Sequence, residues 1–545
     1  MPPRTSRYHS VLSWPFALVL AVDLVQAGIN DTTPLDLVHT RLEIDAVLLA
    51  AKSSPLRLDM FSLSIEFGNT IDFLGDIGKP NEFTRQLIRN VAERTKAAPM
   101  IRLGGNTQDK SEFCADCRNG TMVNVFEGEG PLSSEATKVT YNADLFRVMS
   151  ENSLATQEYI FGLNFGADNV TIPRTALAGA LSNFNQSRIH SYELGNEVNL
   201  YGAFVPYRPK TWTVLNYASE IMDWYSQFTT LIEAHAEQYR AKYRAGFQFG
   251  SFVGPPYGFP DFNHVQMSTM HVPQRIGGVK AIATHGYPNN ICTPRAANAT
   301  TLTTYLNHLQ TVAWVTAWSG EIAVAKANGF EYHIGETGSA GCHGKPGVSD
   351  TFGAALWVLD YTLTAATFGV DRIFFHNGKG GFVYNMWEPS DTVLSNGTVT
   401  ASQGVRPSYY SMLFVADLIK GVSSPRIARL EQYDTSRLAH FAVFDDQNAL
   451  RKLALVSTGL GDGMGQPGTA TNQPRSGKNV DVSMLLGKQL TLLRLTGSSV
   501  NATSGVSWAN QTINKKGVLI GDLVQESVDD GIVRIKAGEA VIVEA

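Results

Sequence analysis

The sequence predicts a (β/α)8 barrel followed by an all-β sandwich. Three observations carry this expectation. From residue 56 to about 420, short apolar runs alternate with longer amphipathic ones, the pattern of a parallel barrel wrapped in helices. From about 422 the runs stay short and Gly, Ser, Asn and Asp separate them, the pattern of packed antiparallel sheets. The chain has 545 residues, too many for one ordinary core.

The apolar runs give eight strands in order: Phe61 to Phe67, Met100 to Leu103, Tyr159 to Phe165, Ile189 to Leu194, Phe247 to Val253, Ala281 to Thr284, Glu331 to Gly335 and Arg372 to Phe375. Helical periodicity follows over Asn81 to Thr95, from near Thr175, and over Trp212 to Tyr239, Thr301 to Asn328, Thr351 to Phe368 and Ser408 to Ile419. In the tail, Leu438 to Phe444, Leu453 to Val456, Leu490 to Leu493 and Ile532 to Ile535 read as strands. Leu35 to Ala50 is also strand-like. The expected domains are a segment 28–55 joining the sandwich, a barrel over 56–421 and a sandwich over 422–545.

Residues 1–27 read as a secretory signal. Arg4 and Arg7 precede the apolar stretch Val11 to Val22, and Val25-Gln26-Ala27 ends in small residues suited to cleavage. No later run is apolar and long enough to span a bilayer; Ala354 to Phe375 carries Asp360, Asp371 and Arg372. The chain is therefore expected to be extracellular, with no membrane partner. Eight N-x-S/T sequons, at Asn30, Asn119, Asn169, Asn185, Asn298, Asn396, Asn501 and Asn510, fit a glycoprotein. Four cysteines allow three pairings, and Cys114–Cys117 with Cys292–Cys342 is the expected one in an oxidising compartment.

Net charge is −5 and no dense Lys/Arg run occurs, which argues against a nucleic-acid partner. The twelve histidines are scattered with no H-x-x-x-H pair, so no metal and no cofactor is expected.

In a barrel of this kind chemistry sits at the C-terminal ends of the strands. Strand four ends in Tyr192-Glu193-Leu194-Gly195-Asn196-Glu197 and strand seven in His333-Ile334-Gly335-Glu336. Two carboxylates at one barrel mouth suit glycoside hydrolysis, where one protonates the leaving oxygen and the other attacks the anomeric carbon.

These two motifs, with Ser62 to Phe67, Ile101 to Asp109, Pro346 to Trp357 and Val405 to Tyr410, resemble glycoside hydrolase family 79, the β-glucuronidase and heparanase-like family. The resemblance runs from about 56 to 412. It implies Glu197 as general acid/base, Glu336 as nucleophile, and Asn196 on the sugar 2-hydroxyl. It implies that Tyr287, two residues beyond His285, orients the nucleophile. Glu66 and Asn106 stand where relatives bind sugar hydroxyls. Relatives hold a uronate carboxylate partly with a Gly-Tyr pair after strand eight. The corresponding stretch here reads His376 to Asn385, with Gly381 and Phe382 nearest to that pair and Lys379 and Tyr384 as alternative donors. His343 departs from a loop that is glycine-rich in relatives. The expected substrate is a carbohydrate: a β-glucuronide, releasing glucuronic acid or its 4-O-methyl form with retention of configuration. Another β-glycoside, or carbohydrate binding without catalysis, are the alternatives.

Overall fold

The computed structural model describes residues 39–127, 135–239, 246–393, 399–459, 477–485 and 489–544. The expected signal segment, Asn30 and Asn396 lie outside them. Eight parallel strands close into a barrel: β1 (Phe61–Glu66), β2 (Ile101–Gly104), β3 (Tyr159–Leu163), β4 (Ile189–Leu194), β5 (Gly246–Val253), β6 (Val279–Gly286), β7 (Glu331–Thr337) and β8 (Arg372–Asn377). They neighbour one another in sequence order, and β8 pairs with β1. Each is buried along most of its length on both faces, as a parallel strand between lumen and helices must be.

The lumen is charged rather than aliphatic. Arg102 on β2, Glu193 on β4, Gln248 on β5 and His333 on β7 form one hydrogen-bonded column. At the opposite end of the barrel Glu331 meets His190, His333, Arg57 and Arg372. Burial of these groups is tolerable because each charge has a charged or hydrogen-bonding partner.

The outer helices include α1 (Glu82–Thr95), α2 (Thr171–Asn183) and α3 (Val214–Tyr239). The stretch 301–328, expected as one helix, is three. A short helix Leu302–Tyr305 ends before Asn307, whose side chain accepts from Gln310 N and starts α4 (His308–Thr316); α5 (Ser319–Ala327) follows. Competition from the Asn side chain for backbone N–H groups explains the break. Then come α6 (Phe352–Thr367), buried up to Ala366, and α7 (Tyr409–Ile419), buried along its whole length.

Their burial has a simple cause. The tail sheet contains β9 (Arg426–Arg429), β10 (Leu438–Phe444), β11 (Leu450–Ser457), β12 (Leu490–Thr496) and β13 (Glu539–Glu544). Strand alternation splits its residues between two cores. Ala439, Phe441 and Val443 face the core that includes α6 and α7, while Leu438, Ala442 and Phe444 face a separate core shared with Val480, Val533 and Ile535. A three-stranded sheet of His39–Arg41, Gly477–Asp481 and Ile532–Lys536 covers that second face. The sheets are therefore a sandwich whose larger member also docks on the barrel.

One expectation about the N-terminal segment is corrected. His39–Arg41 does pair with the sandwich, but Ala46–Ala51 is a helix rather than strand. Asp45 accepts from Leu48 N at 3.0 Å and caps it.

A buried cluster ties barrel to sandwich. His308 at the start of α4 lies 2.7 Å from Asp360 of α6 and 3.1 Å from Asp434 before β10. Burial alone would lower its pKa, but the two carboxylates outweigh it and raise it to about 9. Cys114 is bonded to Cys117 and Cys292 to Cys342. Asn119, Asn169, Asn185, Asn298, Asn501 and Asn510 are exposed.

Candidate active site

Glu336 and Glu197 meet at the C-terminal mouth of the barrel. One oxygen of each, with a nitrogen of His285, all lie within 4.8 Å of one another. Local backbone features aim them. On β7, His333 points into the lumen and Ile334 outward, so unbroken alternation would turn Glu336 outward. A register shift against β6, where Thr284 pairs with Ile334 but His285 with Glu336, turns it into the mouth. Glu197 sits just past β4 with φ +51°, in left-handed backbone that costs a non-glycine residue about 1 kcal/mol. Asp109 and Ser251 hold it there: Asn196 N donates to Asp109 Oδ2 at 3.0 Å and Glu197 N to Ser251 O at 2.9 Å.

Arg102 organises the floor. Its guanidinium is fully buried and donates to Glu336 Oε2 (2.7 Å), Glu193 Oε1 (2.6 Å), Ser64 Oγ (3.0 Å) and Asn196 Oδ1 (2.8 Å). Tyr287 donates its hydroxyl to Glu336 Oε1 at 2.8 Å. His376 of β8 stands 3.7 Å from Glu336 and 3.3 Å from Glu66. His285 lies 3.3 Å from Glu197 and 4.0 Å from Glu336.

This asymmetry separates the two acids. Burial raises the Glu336 carboxyl, but His376, His285 and Arg102 outweigh it and hold it well below the ordinary carboxylate range. Glu197 is raised, first by burial and further by the Glu336 charge, against the lowering contacts of His285. One carboxylate ionised and one protonated at the same pH is what acid-assisted nucleophilic attack on an acetal carbon requires.

The remaining expected residues fall around the pair. Glu66 accepts from Thr107 N at 2.7 Å and from Thr107 Oγ1. A Cβ at Gly105 would lie 2.4 Å from Glu66 Oε2, and its φ of +89° also needs glycine. Asn106 accepts from Asn196 at 3.3 Å and donates to Glu135 at 3.1 Å. Tyr384 is buried beside Tyr287, with ring centroids 6.0 Å apart. Phe382 is buried and stacks on His343 at 3.9 Å. Gly381 has φ +113° with open space at its Cβ position. Lys379 is committed elsewhere, its Nζ 2.8 Å from Asp72.

Sequence reasoning gave no role to Arg102, Glu193, His376 or Glu135. For the first three a signal existed: each is a charged or titratable residue inside an apolar barrel strand, which must face the lumen and find a partner. Glu135 has no local signal, because its partners come from distant loops.

Among the described residues, two clusters have the residue types of a metal site. At Glu197, His285 and Glu336 the Arg102 guanidinium already neutralises Glu336. At His190, Glu331 and His333 the Arg372 guanidinium donates to Glu331 and approaches His333 Nε2 at 3.2 Å, taking the place of a cation.

Comparison with known proteins agrees with this geometry. Residues 440–542 match the glycosyl hydrolase family 79 C-terminal beta domain. A β-glucuronidase of Neurospora crassa is 27% identical over 516 residues, covering 85% of this chain and 86% of the relative. A β-glucuronidase of Aspergillus niger is 26% identical over 514 residues, covering 88% and 89%. Among solved structures, a 4-O-α-L-rhamnosyl-β-D-glucuronidase from Fusarium oxysporum 12S superposes with a TM-score of 0.73 at 20% identity, covering 91% of this chain and 98% of that one. A family 51 α-L-arabinofuranosidase from Bifidobacterium longum gives 0.57 at 13%, covering 92% and 98%. Tail domain and relatives that span most of the chain both point to similarity with glycoside hydrolase family 79.

Proposed function

We propose that the protein is a secreted retaining β-glucuronidase, with Glu336 as nucleophile and Glu197 as acid/base. The observation that carries the mechanism is the approach of the two carboxylates to within 4.8 Å, too close for the water that an inverting enzyme places between them. The opposite shifts of the two acids support this assignment of roles.

In the first step a Glu336 oxygen bonds to the anomeric carbon as the glycosidic C–O bond breaks. Glu197 gives its proton to the departing oxygen. Glycosylation removes the Glu336 charge, and the Glu197 carboxylate then takes a proton from water. That water attacks the anomeric carbon, the Glu336–sugar bond breaks, and the sugar leaves with its original configuration. Asn196, held by Arg102, is positioned for the 2-hydroxyl.

Glucuronide as substrate is supported by the similarity to fungal β-glucuronidases and by the donors around Tyr384. With Lys379 paired to Asp72, the carboxylate contacts in this reading come from the Tyr384 hydroxyl and the N–H groups of Gly381 and Phe382. Residues 1–27 serve as the export signal and the exposed sequons carry glycans. No described helix is long and apolar enough to cross a membrane.

Hydrolysis of aryl β-D-glucuronide beside aryl β-D-glucoside, with wild type and Glu336→Gln, tests the reading. Glucuronide cleavage abolished by the substitution supports it. A preference for glucoside moves the specificity and keeps the mechanism.

A further inference from the structure

A side-chain bridge links two loops at the barrel mouth. Glu135 lies on the excursion after β2, and His343 on the loop after β7. His343 Nε2 stands 2.8 Å from Glu135 Oε1, and both side chains are buried. Asn106 donates to both oxygens of Glu135, and Phe382 from the loop after β8 stacks on the His343 ring. In the closed barrel β8 and β1 lie between β7 and β2, so this bridge passes over the β8–β1 quadrant of the mouth.

That quadrant is opposite Glu197. In an eight-stranded barrel β4 and β8 are diametrically placed. The leaving group must lie on the Glu197 side, because Glu197 protonates its oxygen. The bound sugar therefore extends from Glu336 toward Glu66 on β1 and His376 on β8. In a pyranose the 4-hydroxyl is across the ring from the anomeric carbon, so it points at the bridge.

Resting on the retaining glycosidase reading above, we infer that Glu135 and His343 are specificity-determining residues that make the enzyme exo-acting, admitting a terminal sugar with a free 4-hydroxyl and excluding one that carries a further sugar there. A buried carboxylate–imidazole contact suits this task. Burial raises Glu135, but the His343 contact and charge outweigh it and keep the carboxylate ionised. Opening the wall leaves a buried carboxylate without its partner, a cost that a flexible apolar loop would not impose.

The test compares kcat/KM for four aryl β-glycosides: the glucuronide and the glucoside, each with a free 4-hydroxyl and with a 4-O-linked sugar. Wild type, His343→Gly, Glu135→Ala and Glu135→Gln are assayed. His343 has φ +74°, so glycine suits its backbone. Wild type is expected to prefer the free form by about 100-fold, the range one steric mismatch supplies. His343→Gly and Glu135→Ala reduce that preference to about 10-fold or less, while Glu135→Gln, which keeps the volume and a hydrogen bond, retains most of it. The preference is a ratio within one variant, so general damage to the fold cancels. Equal wild-type rates on free and 4-O-substituted forms, or an unchanged ratio in both opened variants, overturns the inference. The choice between glucuronide and glucoside is read separately from the same panel, so a wrong sugar and an open wall give different results.

Discussion

Arg102 Nη1 lies 2.7 Å from Glu336 Oε2, with the arginine fully buried and the glutamate nearly so. The same guanidinium binds Glu193 and Asn196, so one residue both helps keep the proposed nucleophile ionised and positions the proposed 2-hydroxyl ligand. Removing it with Arg102→Met leaves two buried carboxylates with one cation fewer. The expected loss of stability is about 3–5 kcal/mol, read as a fall in the denaturant midpoint. Arg102→Lys keeps the charge but not the fork, and is expected to fold while losing most of kcat. Full activity in Arg102→Lys contradicts the positioning role.

The separated acids predict a bell-shaped dependence of kcat/KM on pH. Glu336 must be ionised and lies below its ordinary 4.5, so the acid limb falls below pH 4.5. Glu197 must be protonated and lies above 4.5, so the alkaline limb falls above it. The limbs belong to the pair rather than to either residue. A profile flat from about pH 4 to 8 contradicts the assignment.

Tyr287→Phe removes the 2.8 Å hydrogen bond to Glu336 Oε1 and little volume. One preorganised donor lost at a reacting carboxylate is expected to cost roughly 10²-fold in kcat. The donor stabilises the ionised form, so the acid limb of the same variant moves up in pH. A fall in kcat with an unmoved acid limb points to packing instead.

His308 makes barrel–sandwich docking depend on pH. Its folded pKa of about 9 lies above the ordinary 6.5. The raised value means the stabilisation is full below pH 6.5 and is lost as pH rises through about 9. The upper bound of that loss is on the order of 3 kcal/mol. Wild type is expected to show a lower Tm at pH 9.5 than at pH 6, and His308→Gln a smaller difference between the two. Equal pH dependence in both proteins contradicts the clamp.

Much of this architecture is legible in the sequence, for a physical reason. Strands buried on both faces appear as short runs rich in apolar residues, and Ile189–Leu194 has the same ends in sequence and structure. The carboxylates are legible because barrel chemistry sits just past such runs. Side-chain caps are less visible, so Asp45 and Asn307 produced a helix and a break that apolar pattern alone does not reveal. Long-range partners are least visible. Nothing near Glu135 indicates His343, 208 positions away, and nothing near His308 indicates Asp434. The small sheet of Ser111–Phe113, Met122–Val125 and Lys138–Tyr141 between β2 and β3, which delivers Glu135 toward the mouth, also lies outside the barrel pattern.

The central claim is a covalent sugar on Glu336. A 2-deoxy-2-fluoro aryl β-glucuronide slows both steps by destabilising the positive transition state, and its good leaving group lets the first outrun the second. Peptide mass spectrometry after reaction is predicted to find one fluoroglucuronyl group, on Glu336. A label on Glu197 or on another residue, or complete turnover with the opposite anomer released first, contradicts the account.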